Sequence, residues 1–393
     1  MVDAASEAQA PEGKVAIVLA GAGSRGAYEA GVLSVLLPLL KGRDTPRIIL
    51  GTSVGALNAA MLAAVIDKGV DAAATMLLDG WKKIGPEKVF RTPRRGVITA
   101  LAWRLHHASG TAAGLVDTKP LEGTIGEIIQ PSNFGHNVGS HDLEAVGIVA
   151  SACSTMQAVV FVEGKSVPAR SQQIRYVGTT LGTQHLLASS AFPVVFPPRW
   201  VADPSIGGDW YIDGGVHLNT PFKPAIDLGA DRILVVGGTH IHSAVPPSPA
   251  VSPTLGDSNG QILHALLADG FEADLAQLRA TNKNVRAHAD TSAATGATSG
   301  LPHRVISYLN VNPCDDALDA EAAKIYPAGL SSLLESAGDY KLLGFATGQR
   351  QRPGQFLSYI CFDQKFVSKA IELGQADARN AIGGSHSIPW ITP

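Results

Sequence analysis

Short apolar runs rich in β-branched residues recur along the chain, and several of them end in glycine. The clearest are Lys14–Ala20, Ile48–Leu50, Val146–Ala150 and Arg232–Gly238. Continuous apolar runs of this length are typical of parallel strands that are buried on both faces. Helical stretches lie between them, starting with residues 27–40. Strands that alternate with helices predict a three-layer α/β/α fold with a mostly parallel central sheet.

The rest of the chain predicts further elements around this sheet. Residues 159–162, 174–177 and 304–309 read as strands, and residues 70–82, 221–230, 262–280 and 356–382 as helices. Residues 243–259 and 288–301, which are rich in small and polar residues, predict surface loops or partly disordered insertions. We therefore expect a flexible N-terminus (1–13), an α/β core (14–240) and a loop-rich, helical C-terminal extension that packs on the core (241–393).

The chemistry centres on Gly51-Thr52-Ser53-Val54-Gly55, which follows the second apolar run and leads into an alanine-rich helical stretch. A strand, a sharp turn with serine at its apex and a helix form the nucleophile-elbow arrangement. Small flanking residues let the backbone bend and leave the hydroxyl exposed. The unpaired amides and the dipole of the helix favour the negative charge that acyl transfer develops on the substrate oxygen.

A glycine-rich loop, Gly21-Ala22-Gly23-Ser24-Arg25-Gly26, follows the first apolar run. Its spacing matches the dinucleotide-binding fingerprint, which also requires an acidic residue at the end of the second strand. Asp44 precedes that strand instead. The other interpretation is that the loop presents backbone amides to an oxyanion. Both turns follow parallel strands, so we expect the loop and Ser53 to meet at the carboxyl edge of the sheet.

Composition and charge exclude several classes of protein. The 393 residues are 45% hydrophobic and 17% charged, with a net charge of -3, so nothing indicates nucleic-acid binding. The three cysteines have no paired spacing, which argues against a zinc site or a disulfide framework, and Cys153 is expected to be buried in the core. We see no signal peptide and no apolar run of about 18 residues, so we expect a cytoplasmic or peripheral membrane protein.

A basic segment that carries Trp103 is a candidate for membrane contact or for a lid, although an ordinary amphipathic surface helix is the favoured interpretation.

Several stretches together resemble the patatin-like phospholipase family. The glycine-rich loop is similar to its oxyanion motif, and the turn at Ser53 is similar to its nucleophile elbow. Asp213-Gly214-Gly215 resembles its Asp-Gly-Gly motif, although an isolated Asp-Gly-Gly is usually only a turn. Ser189–Pro198 and Asn219-Thr220-Pro221 also resemble family sequence on either side of the aspartate. The main resemblance covers residues 14–238, with a fainter likeness at residues 357–378.

This resemblance implies a lipid acyl hydrolase that cleaves carboxylic esters of phospholipids or lysophospholipids. Ser53 would be the nucleophile and Asp213 the base, with no histidine between them. Gly21, Ala22, Gly23, Ser24, Arg25 and Gly26 would form the oxyanion hole, and Arg25 would shape this loop. No metal or other cofactor is implied, and the partner is a lipid or acyl-ester substrate.

One departure from the family pattern stands at Ala22, where the family usually has glycine. We expect a flanking glycine to carry any positive φ, because a Cβ there costs roughly 1–2 kcal/mol.

Two alternatives remain open at this stage. One is a general carboxylesterase with a Ser-His-Asp triad, which needs a histidine late in the chain, such as His303 or His386. His217, close to Asp213 in sequence, is expected to be a loop or surface residue. The other alternative is a non-catalytic dinucleotide- or lipid-binding module.

Overall fold

The structure, a computed structural model, describes most of the regions on which the sequence analysis depends. It describes residues 13–91, 114, 116–129, 134–138, 143–169, 173–193, 195–202, 207–239, 252, 270–295, 304–325 and 357–392. The segment around Trp103, the N-terminus up to residue 12, His303 and the predicted loop at residues 243–259, except residue 252, lie outside the described residues.

Nine strands and twelve α-helices are present in the described parts of the chain. The strands are β1 (Val15–Leu19), β2 (Pro46–Thr52), β3 (Ala145–Ala152), β4 (Gln157–Gly164), β5 (Ile174–Gly178), β6 (Arg199–Val201), β7 (Asp209–Asp213), β8 (Arg232–Val236) and β9 (Ser307–Val311). The helices are α1 (Gly26–Leu36), α2 (Val54–Ala63), α3 (Val70–Trp81), α4 (Pro86–Val89), α5 (Lys119–Ile128), α6 (Phe134–Asn137), α7 (Thr183–Ser189), α8 (Phe222–Asp227), α9 (Gly270–Thr295), α10 (Ala317–Ile325), α11 (Leu357–Ile360) and α12 (Gln364–Ile382).

The central sheet is mostly parallel, as predicted. Its main path runs β5-β4-β3-β2-β1-β8-β9, and the five adjacent strands from β3 to β9 in this order are parallel. Strand β4 is antiparallel to β3, and β5 is parallel to β4. Strand β9 comes from the C-terminal part of the chain, so that part completes the sheet as well as packing on it.

The side chains of the buried strands alternate between two apolar layers. In β1, Val15, Ile17 and Leu19 face the cluster that contains α1, α2, α3 and α12, whereas Ala16 and Val18 face the cluster that contains α8 and α9. Every residue of β1 is fully buried. Helices on both faces of a buried sheet confirm the predicted three-layer α/β/α fold.

Two local predictions are wrong. Cys153 is exposed, because it begins the turn of the hairpin between β3 and β4 and lies beyond the buried part of β3. The predicted loop at residues 288–301 is helical as far as Thr295, where α9 ends. Alanine is frequent in this stretch, and its high helix propensity outweighs the small polar residues that suggested a loop.

Candidate active site

Ser53 occupies a strained turn between β2 and α2. Its backbone has φ 54° and ψ -124°, a conformation that residues other than glycine rarely adopt. The two glycines on either side allow the turn to close: a Cβ on Gly51 would lie 2.2 Å from the carbonyl oxygen of Gly55, and a Cβ on Gly55 would lie 2.4 Å from that of Leu19. The predicted strand, tight turn and helix are therefore present, with Ser53 at the apex.

The pairing of β3 brings Asp213 to Ser53. Strand β2 occupies one side of β3 as far as the pair Thr52 and Val149, and β7 continues along the same side with Asp213 opposite Ala150. Strands β2 and β7 therefore meet end to end at their carboxyl ends. The Ser53 hydroxyl donates a hydrogen bond of 2.6 Å to Oδ2 of Asp213.

The Asp213 carboxyl group is almost completely shielded from water. Its residue is 3% exposed, and its Oδ1 accepts a hydrogen bond of 2.8 Å from the amide of Gly215. Burial raises the pKa of Asp213 to about 7, although the hydrogen bonds from Ser53 and Gly215 oppose this shift. An aspartate in this environment can accept and return a proton near neutral pH.

The end of helix α7 holds both the serine turn and the acid. The amide of Ser53 donates to the hydroxyl of Ser189 over 2.8 Å, and the hydroxyl of Ser190 donates to the carbonyl of Ser53 over 3.3 Å. The amide of Asp213 donates to the carbonyl of Ala191 over 2.9 Å. Three consecutive residues thus fix the distance between Ser53 and Asp213.

The glycine-rich loop lies next to Ser53 at the same edge of the sheet. A Cβ on Gly21 would lie 3.0 Å from the Cβ of Ser53. Ala22 has φ -153°, and Gly23 carries the positive φ of 57°, so the glycine flanking Ala22 adopts the unusual conformation, as predicted. The substitution of alanine at position 22 therefore costs no backbone strain.

The amides of this loop are not equally available to a ligand. The amide of Gly21 donates to the side chain of Asn219 over 3.0 Å, and the amides of Arg25 and Gly26 bond within the short 3-10 turn that begins at Gly23. Among the described residues, the amides of Ala22 and Gly23 donate to no other group. The amide of Ser24 also has no acceptor among the described residues, but Ser24 is fully buried and does not line the cavity. Of the six residues predicted for an oxyanion hole, Ala22 and Gly23 therefore combine an available amide with a place in the cavity wall.

An apolar cavity of about 100 Å³ opens beside Ser53 and Asp213. Its wall near the serine is formed by Gly21, Ala22 and Gly23. Most of the remaining wall is formed by apolar side chains from several helices and loops, with the hydroxyl-bearing Thr124 and Ser190 among them. The apolar residues are Val54, Leu57, Met61, Trp81, Ile84, Val89, Leu121, Ile125, Ile128, Ile129, Phe192, Val195, Phe196, Tyr359, Ile360 and Phe362. A cavity with few polar groups suits a hydrocarbon chain.

Trp81 is fixed in the cavity wall by a buried polar network. Its indole N–H donates to Oδ1 of Asn58 over 2.9 Å, and the amide group of Asn58 donates to Glu29 over 2.8 Å. Complete burial raises the pKa of Glu29 well above its usual value. The network joins α1, α2 and α3 below the cavity and keeps the indole ring in one orientation.

None of the described histidines lies in the cavity wall. His386 is exposed beyond the end of α12, and His217 is exposed after the Asp-Gly-Gly turn. His185 is buried, where it packs against Phe161 and accepts a hydrogen bond from the amide of Gly182. The arrangement around Ser53 therefore offers an aspartate, and no described histidine, as the partner of the serine.

The dinucleotide interpretation also lacks its acidic residue. Asp44 lies at the amino edge of the sheet, before β2, where it pairs with the buried Arg232. The residue that ends β2 at the carboxyl edge is Thr52, and its hydroxyl donates to the carbonyl of Leu218. The position that would hold ribose hydroxyls in a dinucleotide site is therefore occupied by the serine turn.

Within the described parts of the chain, no group of three or more histidine, cysteine or acidic side chains is arranged to hold a metal ion. The described helices also include none that combines the length and apolar character needed to cross a bilayer.

The sequence motifs indicated the serine, the acid and the loop, but they gave no role to several residues that hold them. Ser189, Ser190 and Asn219 belong to stretches that resembled the family, and only the structure reveals what they contact. Asp319 lies outside every motif, and Ser358 and Tyr359 lie in the stretch of fainter likeness at residues 357–378. Nothing in the local sequence connects these three residues with the loop.

The chain matches a known protein family. The family model for patatin-like phospholipase matches residues 17–226, more than half of the chain. The protein therefore belongs to the patatin-like phospholipase family, which implies lipid acyl hydrolase activity. No curated protein matches the chain.

Two solved structures are similar to it over most of its length. One is VipD from Legionella pneumophila, with 13% identity, a TM-score of 0.35, and coverage of 95% of this chain and 67% of that chain. The other is the heterodimeric complex ExoU-SpcU from the type III secretion system of Pseudomonas aeruginosa, with 16% identity, a TM-score of 0.24, and coverage of 89% and 75%.

Proposed function

We propose that the protein is a serine lipid acyl hydrolase in which Ser53 is the nucleophile and Asp213 the general base. The observation that carries this proposal is the hydrogen bond of 2.6 Å between the two side chains, made by a serine at a strained turn. A nucleophile within hydrogen-bond distance of its base is the arrangement that acyl transfer requires. The substrates proposed are phospholipids or lysophospholipids.

In the first half of the reaction, Oδ2 of Asp213 takes the hydroxyl proton while Oγ of Ser53 bonds to the ester carbonyl carbon. The tetrahedral intermediate then collapses, the bond between that carbon and the alcohol oxygen breaks, and the alcohol leaves with the proton from Asp213. In the second half, Asp213 takes a proton from water as the water attacks the acyl-enzyme. The fatty acid is released, and Oγ of Ser53 regains the proton.

The developing negative charge on the carbonyl oxygen would be stabilised by the amides of Ala22 and Gly23. Both residues line the cavity beside Ser53. Each well-placed donor of this kind is typically worth about 2.7–4 kcal/mol in the transition state. The N-terminal end of α2, which begins at Val54, adds a favourable dipole at the same point.

The proposed substrate class rests on the cavity as well as on the family. Side chains that line the cavity beyond Ser53, such as Leu57, Ile125 and Phe196, are apolar and offer no partner to a charged group. A single acyl chain would lie there, with the ester at Ser53 and the head group toward solvent. Because such substrates are presented in membranes or micelles, we also propose a peripheral contact with a lipid surface.

The experiment is fatty-acid release from mixed phospholipid vesicles, and from a short-chain aryl ester, in the presence of EDTA. We expect the wild type to hydrolyse both classes and Ser53→Ala and Asp213→Asn to lose roughly a thousandfold or more in kcat. Asp213→Asn is a suitable variant because its amide can donate to Ser53 and still accept from Gly215.

His217→Ala and His386→Ala serve as controls in the same assay. Activity within about twofold of wild type in both is the expected result, because neither side chain lies in the cavity wall. If Asp213→Asn keeps most of the activity, or if either histidine variant loses it, the Ser-Asp mechanism is wrong and a histidine triad replaces it. A wild type that is inert on every ester but binds NADH tightly would point to the binding module.

A further inference from the structure

Arg25 belongs to the glycine-rich loop, but its side chain turns away from the cavity into a buried cluster. The residue is 3% exposed, and its guanidinium forms an ion pair with Asp319 of α10. Nε and Nη2 of Arg25 donate to the hydroxyl of Ser358 over 3.0 and 2.6 Å, and Nη1 donates to the carbonyl of Gly238 over 3.0 Å. The Tyr359 ring lies 3.9 Å from the guanidinium carbon.

Arg25, Ser358 and Asp319 are all bonded to one another, because the hydroxyl of Ser358 also donates to Oδ1 of Asp319 over 2.8 Å. Ser358 is fully buried, and the side chain of Asp319 is 13% exposed. A planar guanidinium with this set of acceptors is held in one position, since its donors have fixed directions. Arg25 is therefore a fixed connection between the loop and the C-terminal part of the chain.

The backbone of the loop also rests directly on α11. A Cβ on Gly23 would lie 2.0 Å from the carbonyl oxygen of Tyr359, so only glycine fits between the loop and this helix. The hydroxyl of Ser24 donates to the carbonyl of Ser358 over 2.7 Å. Residues 358 and 359 thus hold Gly23 itself and Ser24, the residue that follows the available Gly23 amide.

Helix α11 has a second contact with the site, because Tyr359 and Ile360 form part of the cavity wall. One short helix therefore supports the loop on one side and borders the substrate cavity on the other. It lies more than 100 residues beyond the part of the chain that the family model matches. The motifs within residues 17–226 therefore do not by themselves supply the support that the loop has in this protein.

We propose that Asp319 and Ser358 are positioning residues for the hydrolytic reaction, which hold the amides of Ala22 and Gly23 in place through Arg25 and the loop backbone. This inference rests on the proposed function. Oxyanion donors act mainly in the transition state, so a displaced loop lowers kcat and leaves KM nearly unchanged. A displacement of about 1 Å can cost about a hundredfold in rate.

The chain offers a matched control at the opposite edge of the sheet. Arg232 is also buried, its Nη1 forms an ion pair with Asp44, and its Nη2 donates to the carbonyl of Gly13 over 2.9 Å. Asp44→Asn removes the partner of a buried arginine, as Asp319→Asn does, but it does so at the amino edge. A general loss of stability would lower the activity of both variants. A displaced glycine-rich loop would lower the activity of Asp319→Asn alone.

The test measures kcat and KM on a short-chain aryl ester for the wild type, Ser358→Ala, Asp319→Asn, Arg25→Lys and Asp44→Asn, together with hydrogen exchange of residues 21–26. We expect kcat to fall at least tenfold in the first three variants, with KM within about twofold and faster exchange in the loop. Arg25→Lys keeps the positive charge but loses the planar set of guanidinium donors, so it should behave as Ser358→Ala and Asp319→Asn do. Asp44→Asn should keep the wild-type kcat and loop exchange.

The inference is overturned if the three variants keep kcat within about twofold while folded, or if Asp44→Asn loses as much. If Asp319→Asn does not fold, Ser358→Ala decides the question, because it leaves the ion pair in place. A wild type without esterase activity would refute the proposed function instead. Hydrogen exchange of residues 21–26 then shows separately whether Asp319 and Ser358 hold the loop. Unchanged exchange in Ser358→Ala means that they do not.

Discussion

Two buried arginines at opposite edges of the sheet are bound in nearly the same way but have different surroundings. Arg25, after the carboxyl end of β1, and Arg232, at the amino end of β8, each pair with a carboxylate and donate to a backbone carbonyl, and each lies under an aromatic ring. Next to Arg25 are two available amides and a strained serine. Arg232 contacts Asp44 and Gly13, which lie just before strands β2 and β1.

The two edges of the sheet also differ in backbone strain and in the pKa of their acidic residues. The carboxyl edge holds a serine with φ 54° and an aspartate whose pKa is raised by burial, whereas the turn before β2 at the amino edge places glycine, Gly42, at its positive φ of 62°. Unfavourable backbone conformations and shifted pKa values concentrate at sites of function. The carboxyl edges of parallel strands are also where α/β folds bind their ligands.

The largest expected effect that separates the two edges is on the pH dependence of hydrolysis. Asp213 must be ionised to accept the serine proton, and its pKa is raised to about 7. We predict that kcat/KM rises about tenfold per pH unit from pH 5 and levels off above about 7. Asp44→Asn should have the same profile, because it lies at the other edge. A flat profile from pH 5 to 8 would contradict this assignment.

The next effect is on the free energy of unfolding, which we expect to rise at pH 8 in Asp213→Asn, at the carboxyl edge, and to fall in Asp44→Asn, at the amino edge. The folded-state pKa of Asp213 lies above its ordinary value of 3.8, so the native state favours the protonated form and loses stability as pH rises from about 4 through about 7. Asp213→Asn resembles the protonated acid. It should be more stable than the wild type at pH 8, by up to roughly 4 kcal/mol, and about equal to it at pH 4.

Asp44→Asn removes a charged partner from a buried arginine and should lower the free energy of unfolding by roughly 2 kcal/mol. Denaturant unfolding at pH 4 and pH 8 measures both variants. Destabilisation of Asp213→Asn at pH 8 would mean that the buried carboxylate stabilises the fold.

The smallest expected effect concerns the backbone of the serine turn. With φ at 54°, any side chain at position 53 is strained, and glycine is not. Ser53→Gly should therefore be more stable than Ser53→Ala by about 1 kcal/mol, although glycine is usually the less stable choice. Thermal unfolding of the two inactive variants measures this difference. Equal stability would mean that the turn is relaxed.

The sequence predicted the parts of the site that depend on local pattern. Apolar runs followed by glycine placed Ser53 and the glycine-rich loop at the same edge of a parallel sheet, and the unusual dihedral was expected next to Ala22. The local sequence did not indicate that β7 would run antiparallel along β3 and meet β2 end to end, because the partner of a strand depends on the whole sheet.

The supports of the loop were beyond prediction for a related reason. Arg25 is separated from Asp319 and Ser358 by more than 290 residues, and a single serine or aspartate has no pattern that indicates a distant partner. Cys153 was misassigned because the end of a buried strand was extended into a turn. The helix beyond residue 287 was missed because small residues suit loops as well as helices.

The most direct test of the central claim is covalent labelling of the intact protein with a fluorophosphonate, followed by mass spectrometry of its peptides. The oxygen of the nucleophile bonds to phosphorus and fluoride leaves, so the label marks the residue that attacks. We predict one adduct, on the peptide that contains Ser53, with a labelling rate that rises through about pH 7 and is lost in Asp213→Asn. An adduct on another residue, or hydrolysis that continues while Ser53 is unlabelled, would contradict the assignment.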